Sequence, residues 1–163
     1  SRQALSHAVF LNQPTPADEY RFFGRDELAR QLSRARVGLS LSEEEGAHRA
    51  SIEYLFLGLP VVSTFNRGGR DLLLDGDFCA TVPAEPQFVA GAVRALIERG
   101  LSRDYVRRRT LAKIAGHRER YVEALMRAAH TANLGPLPPI HWPWLNEEVY
   151  AWLTPDELHA RLA

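Results

Sequence analysis

The chain has 163 residues, 45% of them apolar and 25% charged, which suits one compact domain and argues against wholesale disorder. Twenty Lys and Arg balance twenty Asp and Glu, so no global positive field favours nucleic acid. The single cysteine, Cys79, excludes an intrachain disulfide framework or a cysteine-rich metal site, and no apolar run approaches the roughly 20 residues of a membrane span.

Ser1-Arg2-Gln3 has no signal-peptide core behind it, so a reducing, cytoplasmic setting is expected. A start without methionine is expected of a processed protein or a fragment. Ala8-Val9-Phe10-Leu11 reads as a strand stopped by the turn Asn12-Gln13-Pro14. Leu28, Leu32 and Ala35 recur at helical spacing over residues 25–36. Val37-Gly38-Leu39-Ser40-Leu41 reads as the next strand, and residues 47–57 as a helix with Ile52, Leu55 and Phe56 inward and Gly58 as its cap. Pro60-Val61-Val62-Ser63-Thr64 is a third strand.

After the Gly68-Gly69 loop a short helix is expected over 70–74, then a turn at Asp75-Gly76-Asp77 and a fourth strand over 78–82. Phe88, Val89, Ala92, Val93, Leu96 and Ile97 form a helical stripe that ends at Gly100. A further helix is expected over about 103–132, with Gly116 as a point of breakage. Short buried strands alternating with helices, and no hairpin turns, predict a parallel α/β sheet. Residues 134–163, with Gly135-Pro136-Leu137-Pro138-Pro139 and all three tryptophans (Trp142, Trp144, Trp152), read as an appended tail ending in a short helix over 155–162. The tryptophans are expected to pack on the domain or to anchor a partner.

Parallel sheets bind ligands at the carboxyl ends of their strands, which directs attention to the segments after Leu41, Thr64 and Val82. Glu45 and Glu53 stand eight positions apart. Glu45 falls in the loop after a strand and Glu53 inside the following helix. At about 100° per residue they differ by about 80° around the axis and by at most about 12 Å along it, so both could face one cleft. Carboxylates accept from paired hydroxyls, and a helix N-terminus near Gly46, Ala47 and His48 would seat a phosphate or diphosphate. A sugar, a diphosphate and a second sugar match that arrangement, as in a nucleotide sugar.

Glu45-Gly46 through Glu53-Tyr54-Leu55-Phe56-Leu57-Gly58-Leu59-Pro60-Val61-Val62-Ser63-Thr64, continued by Gly68-Gly69-Arg70-Asp71-Leu72-Leu73, resembles the E-x7-E segment of retaining GT-B glycosyltransferases, the family 4 group above all. The resemblance covers residues 8–100. It implies a Rossmann-like half of a GT-B fold, incomplete in this chain, with residues 1–133 as a partial nucleotide-sugar-binding domain and 134–163 as a helical tail. By the same resemblance Glu45 lies by the transferred sugar near the reacting carbon, the backbone at Gly46, Ala47 and His48 binds the diphosphate, Glu53 binds the ribose, and Gly68 and Gly69 line the cleft mouth. Sugar transfer would retain anomeric configuration, with no metal or other cofactor and a nucleotide sugar such as a UDP- or GDP-sugar as substrate. Ala47 and His48 stand where the family usually has an aromatic residue and a glycine.

The resemblance further implies that an acceptor domain and the upstream half of the donor domain come from outside this chain, which alone is expected to be inactive because acceptor and donor must be aligned. A non-catalytic nucleotide-sugar-binding module acting with a partner chain is the second reading, and another phosphate-binding α/β domain the third. Read one at a time, Glu45 and Glu53 suit a helix N-terminal acid and a surface glutamate, and His48 suits either a first-turn surface residue or a ligand contact. Arg67 and Arg70, flanking the glycine pair, are expected to be solvated more readily than to neutralise phosphate. Arg103, Arg107, Arg108, Arg109, Arg118, Arg120 and Arg127 read as a solvated helix face, with a peripheral anionic membrane surface as the other option. Cys79 reads as a small core residue, and the other five histidines lack metal spacing.

Overall fold

The computed structural model describes residues 23–46 and 48–135, with the single positions 8, 9, 11 and 138. Helix α1 (Arg25–Ser33) leads into β1 (Gly38–Ser40), α2 (Arg49–Phe56) and β2 (Val61–Thr64). A 3-10 turn (Arg70–Leu73) then precedes β3 (Cys79–Val82), α3 (Pro86–Glu98) and α4 (Arg103–Thr131). The three strands form a parallel sheet in the order β1-β2-β3, with Leu39 opposite Val62 and Val62 opposite Ala80.

Alternation along the strands builds two apolar layers. Val61 and Cys79 point to one face, where Leu55 of α2, Leu73, Phe78 and Val106 of α4 pack against them. Val62, with Leu39, Ala80 and Val82, points to the other face and meets Val89 and Leu96 of α3. Central β2 is buried at every position, and each such Val or Leu removed from water contributes roughly 1.5–3 kcal/mol. Gly38 has a packing reason: a Cβ there would run into the ring of Tyr54, so the bare backbone lets α2 lie close against β1.

Helix α2 ends in paired bonds, Leu59 N–H to Tyr54 O at 2.9 Å and Gly58 N–H to Leu55 O at 3.0 Å, around Gly58 at φ +74°. This is the glycine-centred stop expected from the sequence. The turn before β3 is an Asx turn in which Asp75 Oδ1 accepts from Asp77 N–H at 3.0 Å. From α4, Arg109 reaches Asp75 Oδ2 at 3.3 Å and the Tyr105 hydroxyl donates to Asp77 Oδ2 at 3.1 Å. Arg103 donates to the carbonyls of Ser33, Ala35 and Leu57, tying the C-termini of α1 and α2 to the start of α4. Arg103, Arg107, Arg108 and Arg109 are all exposed, as the solvated-face reading expects, and Arg103 and Arg109 also bond to neighbouring segments.

Several expectations are corrected. Ala8 and Val9 lie outside any strand and Leu11 is in a turn, while Phe10 lies outside the described residues; a strand needs a neighbour to pair with, and the described sheet has three strands rather than four. The helix expected from residue 47 begins at Arg49, because His48 takes an extended conformation and caps it. The short helix over 70–74 is one 3-10 turn. Helix α4 runs through Gly116 without a break, since the roughly 1 kcal/mol cost of one glycine is outweighed by Ala, Leu, Lys and Arg neighbours.

The chain divides into two compact units inside α4, between His117 and Arg118. In the second, α4 closes on Asn133 at φ +52°, with Leu134 N–H bonded to Ala129 O at 2.9 Å. The tryptophans and the expected helix over 155–162 lie outside the described residues. Among the described residues no helix is long and apolar enough to cross a membrane.

Candidate functional site

Two loops leave the carboxyl edge of the sheet side by side, residues 41–48 after β1 and 65–69 after β2. Arg67 N–H donates to Glu43 O at 3.0 Å, and the exposed Arg67 side chain lies 3.9 Å from Glu43 and 3.6 Å from Glu44. A Cβ on Gly68 would collide with the Glu45 carbonyl, and one on Gly69 would meet Gly46 at 4.0 Å. Gly68 is therefore what allows the second loop to lie directly on Glu45, whereas a side chain at Gly69 would make only an ordinary contact with Gly46. Gly46 and Gly69 are exposed, so this seam is walled by backbone and open to solvent. Ala47 lies outside the described residues.

A polar chain of side chains runs beneath the seam. Arg70 is 3% exposed, in contrast to the solvated arginine expected from the sequence. The reason is a set of acceptors at the strand ends: its Nη1 donates to Ser42 O at 2.7 Å and Ser42 Oγ at 3.0 Å, and its Nη2 to Thr64 O at 2.7 Å. Ser42 Oγ in turn donates to Glu45 Oε1 at 2.9 Å, and His48 Nε2 lies 3.7 Å from the same oxygen. On the other side of the imidazole, Nδ1 is 2.9 Å from Ser40 Oγ and accepts the Ser51 N–H at 3.3 Å. His48 thereby caps α2. Arg70 Nε, Thr64 Oγ1 and Asn66 Oδ1 are buried with no hydrogen-bond partner among the described residues.

Glu53 sits elsewhere. Ser51 and Leu55 mark the buried face of α2, and Glu53 is about 200° around the helix from each. It shares the outer face with Arg49, whose Nε is 3.7 Å from Glu53 Oε1. Burial, and secondarily the Glu53 charge, push the Tyr54 phenol above its ordinary pKa and so disfavour its ionisation. The expectation that both carboxylates face one cleft carried the helical rotation of α2 back onto Glu45 in the preceding loop. Glu45 precedes α2, so that angular relation does not apply, and no described contact joins the two carboxylates.

Ser40, His48 and Glu45 have the order of residues found in hydrolytic triads, but Ser40 is 1% exposed and its partner nitrogen is engaged in capping, so no nucleophile is presented. The sequence reading missed Ser40, Ser42 and Ser51. Ser51 was accessible in principle, three residues beyond the cap, where a first-turn donor seeks an acceptor; histidine is not among the usual caps, which hid it. A recess of about 140 Å³ bordered by Arg36, Pro60, Leu96 and Arg103 lies at the opposite, amino edge, away from where parallel sheets place ligands. Among the described residues no group of three His, Cys, Asp or Glu side chains is placed to hold a metal. Searched against protein-family models, curated proteins and solved structures, the chain matches none.

Proposed function

We propose that this chain is the donor-binding portion of a retaining glycosyltransferase, and that the seam between residues 41–48 and 65–69 receives a nucleotide sugar. The observation that carries the reading is the apposition of Gly68 to the Glu45 carbonyl, which joins two separated motifs at the carboxyl edge of a parallel sheet. Glu45 then accepts from hydroxyls of the transferred sugar, and the open backbone of Gly46, Gly68 and Gly69 approaches the diphosphate. Glu53, on the outer face of α2, meets the ribose from the other end.

Among the described residues the strand order β1-β2-β3 contains no reversal, and ligand crevices of open α/β sheets form where the order reverses. The wall beyond β1 is accordingly supplied by the upstream half of the donor domain or by a partner chain, and transfer requires the acceptor domain as well. The contacts to the diphosphate and the transferred sugar, by contrast, lie within this chain and suffice for measurable binding. The protein acts in the cytoplasm on this reading. Chemical-shift mapping with UDP-glucose and GDP-mannose tests it: the amides of Gly46, Gly68 and Gly69 are expected to shift saturably with one of the two. Shifts confined to the amino-edge recess, or none in the folded chain, would contradict it.

A further inference from the structure

We propose that Arg70, Ser42 and His48 are positioning residues for Glu45, fixing its carboxylate so that Oε1 is held by the protein and Oε2 is the acceptor offered to a ligand hydroxyl. The identity of that ligand rests on the glycosyltransferase reading; the positioning itself rests on hydrogen-bond polarity alone.

The polarity is set from both ends by groups that can only donate. The Arg70 guanidinium has no acceptor, so its bond at 3.0 Å uses a lone pair of Ser42 Oγ and the hydroxyl proton of Ser42 points to Glu45 Oε1, 2.9 Å away. At the far end the Ser51 backbone N–H donates to His48 Nδ1 at 3.3 Å. The Ser51 hydroxyl also lies 3.2 Å from Nδ1, but its proton goes to His48 O at 2.8 Å. Nδ1 therefore carries no proton, and the buried Ser40 hydroxyl at 2.9 Å donates to it. The neutral ring then bears its proton on Nε2, which faces Glu45 Oε1 at 3.7 Å, an electrostatic contact longer than a hydrogen bond. Two donors address one carboxylate oxygen, and a buried cation stands behind the first. Among the described residues only Oε1 of Glu45 is so engaged.

The positioning is tested without any ligand by nitrogen-15 NMR of histidine side chains in the full chain. His48 is expected to show the Nε2–H tautomer, its Nε2 resonance is expected to move in Ser42→Ala and Glu45→Gln, and Ser42→Thr is expected to restore it. An Nδ1–H tautomer, or an Nε2 resonance indifferent to Ser42→Ala, would overturn the proposal. Its use in binding is read from UDP-glucose and GDP-mannose against their parent nucleoside diphosphates. Ser42→Ala is expected to weaken the bound nucleotide sugar about tenfold, as for loss of a hydrogen bond to a charged group, to leave the parent nucleotide unchanged, and to be rescued by Ser42→Thr. Equal weakening of both would count against positioning. Absence of all binding by the folded wild-type chain would remove the glycosyltransferase reading, and the tautomer experiment would still decide the positioning.

Discussion

Arg70 holds a full charge in the interior at 3% exposure, and its hydrogen-bond acceptors are two carbonyls and a hydroxyl. A buried cation is tolerated when fixed dipoles replace its water, and here the chain ends of β1 and β2 supply them. Removing the guanidinium leaves those acceptors without donors, so Arg70→Met is expected to cost about 2–4 kcal/mol in urea unfolding; unchanged stability would contradict the assignment. Cys79 reports on the apolar layer under α2 and α4. Burial pushes its thiol up, against backbone hydrogen bonds at Asp75 and Val61 that pull it down. A raised thiol favours the native state fully below the ordinary thiol range of about 8.5, and that contribution is lost as pH rises through and beyond it, because the unfolded chain ionises first. Labelling by a thiol reagent at pH 8 is accordingly expected to be slow in the native chain and fast in urea; equal rates would show an accessible Cys79. None of this burial was legible for Arg70, since an arginine beside a glycine loop is normally solvated. For Cys79 a flanking strand pattern made it so.

At the scale of elements, β2 and α3 were the most legible. Val61 and Val62 open a short β-branched run between Pro60 and a glycine loop, and the α3 stripe repeats at helical spacing up to Gly100, which adopts φ +60°. What the sequence could not convey was how elements lock to each other. Gly58 was legible as a cap, but not its second duty: a Cβ there would strike the backbone of Arg103, at the point where Arg103 donates to the C-terminal carbonyls of α1 and α2. Cations at helix C-termini are favourable. Gly58→Ala combines left-handed strain with this collision and is expected to cost roughly 2–4 kcal/mol. Thermal unfolding checks it; a loss under about 0.5 kcal/mol, the usual surface range, would place Gly58 outside the junction. The angular relation drawn between Glu45 and Glu53 extended helical rotation into the loop before α2, where that periodicity does not hold.

Among the described residues, three parallel strands with helices on both faces give a mixed α/β fold, and its carboxyl edge gathers Glu45, Gly46, His48, Gly68 and Arg70. The nearness of Glu45-Gly46 and Gly68-Gly69 was legible from their places after successive strands of a parallel sheet, whereas the serines that connect Glu45 to Arg70 and His48 were not. The seam depends on Gly68 having no side chain, so Gly68→Ala separates the loops without altering any charge. Titration calorimetry of the chain and of Gly68→Ala with UDP-glucose and GDP-mannose, both proteins verified as folded, addresses the central claim most directly. The expected result is saturable binding of one nucleotide sugar to the wild type, weakened about tenfold or more in the variant, which corresponds to at least roughly 1.4 kcal/mol. A folded wild-type chain that binds neither, or a Gly68→Ala chain that binds equally well, would contradict it.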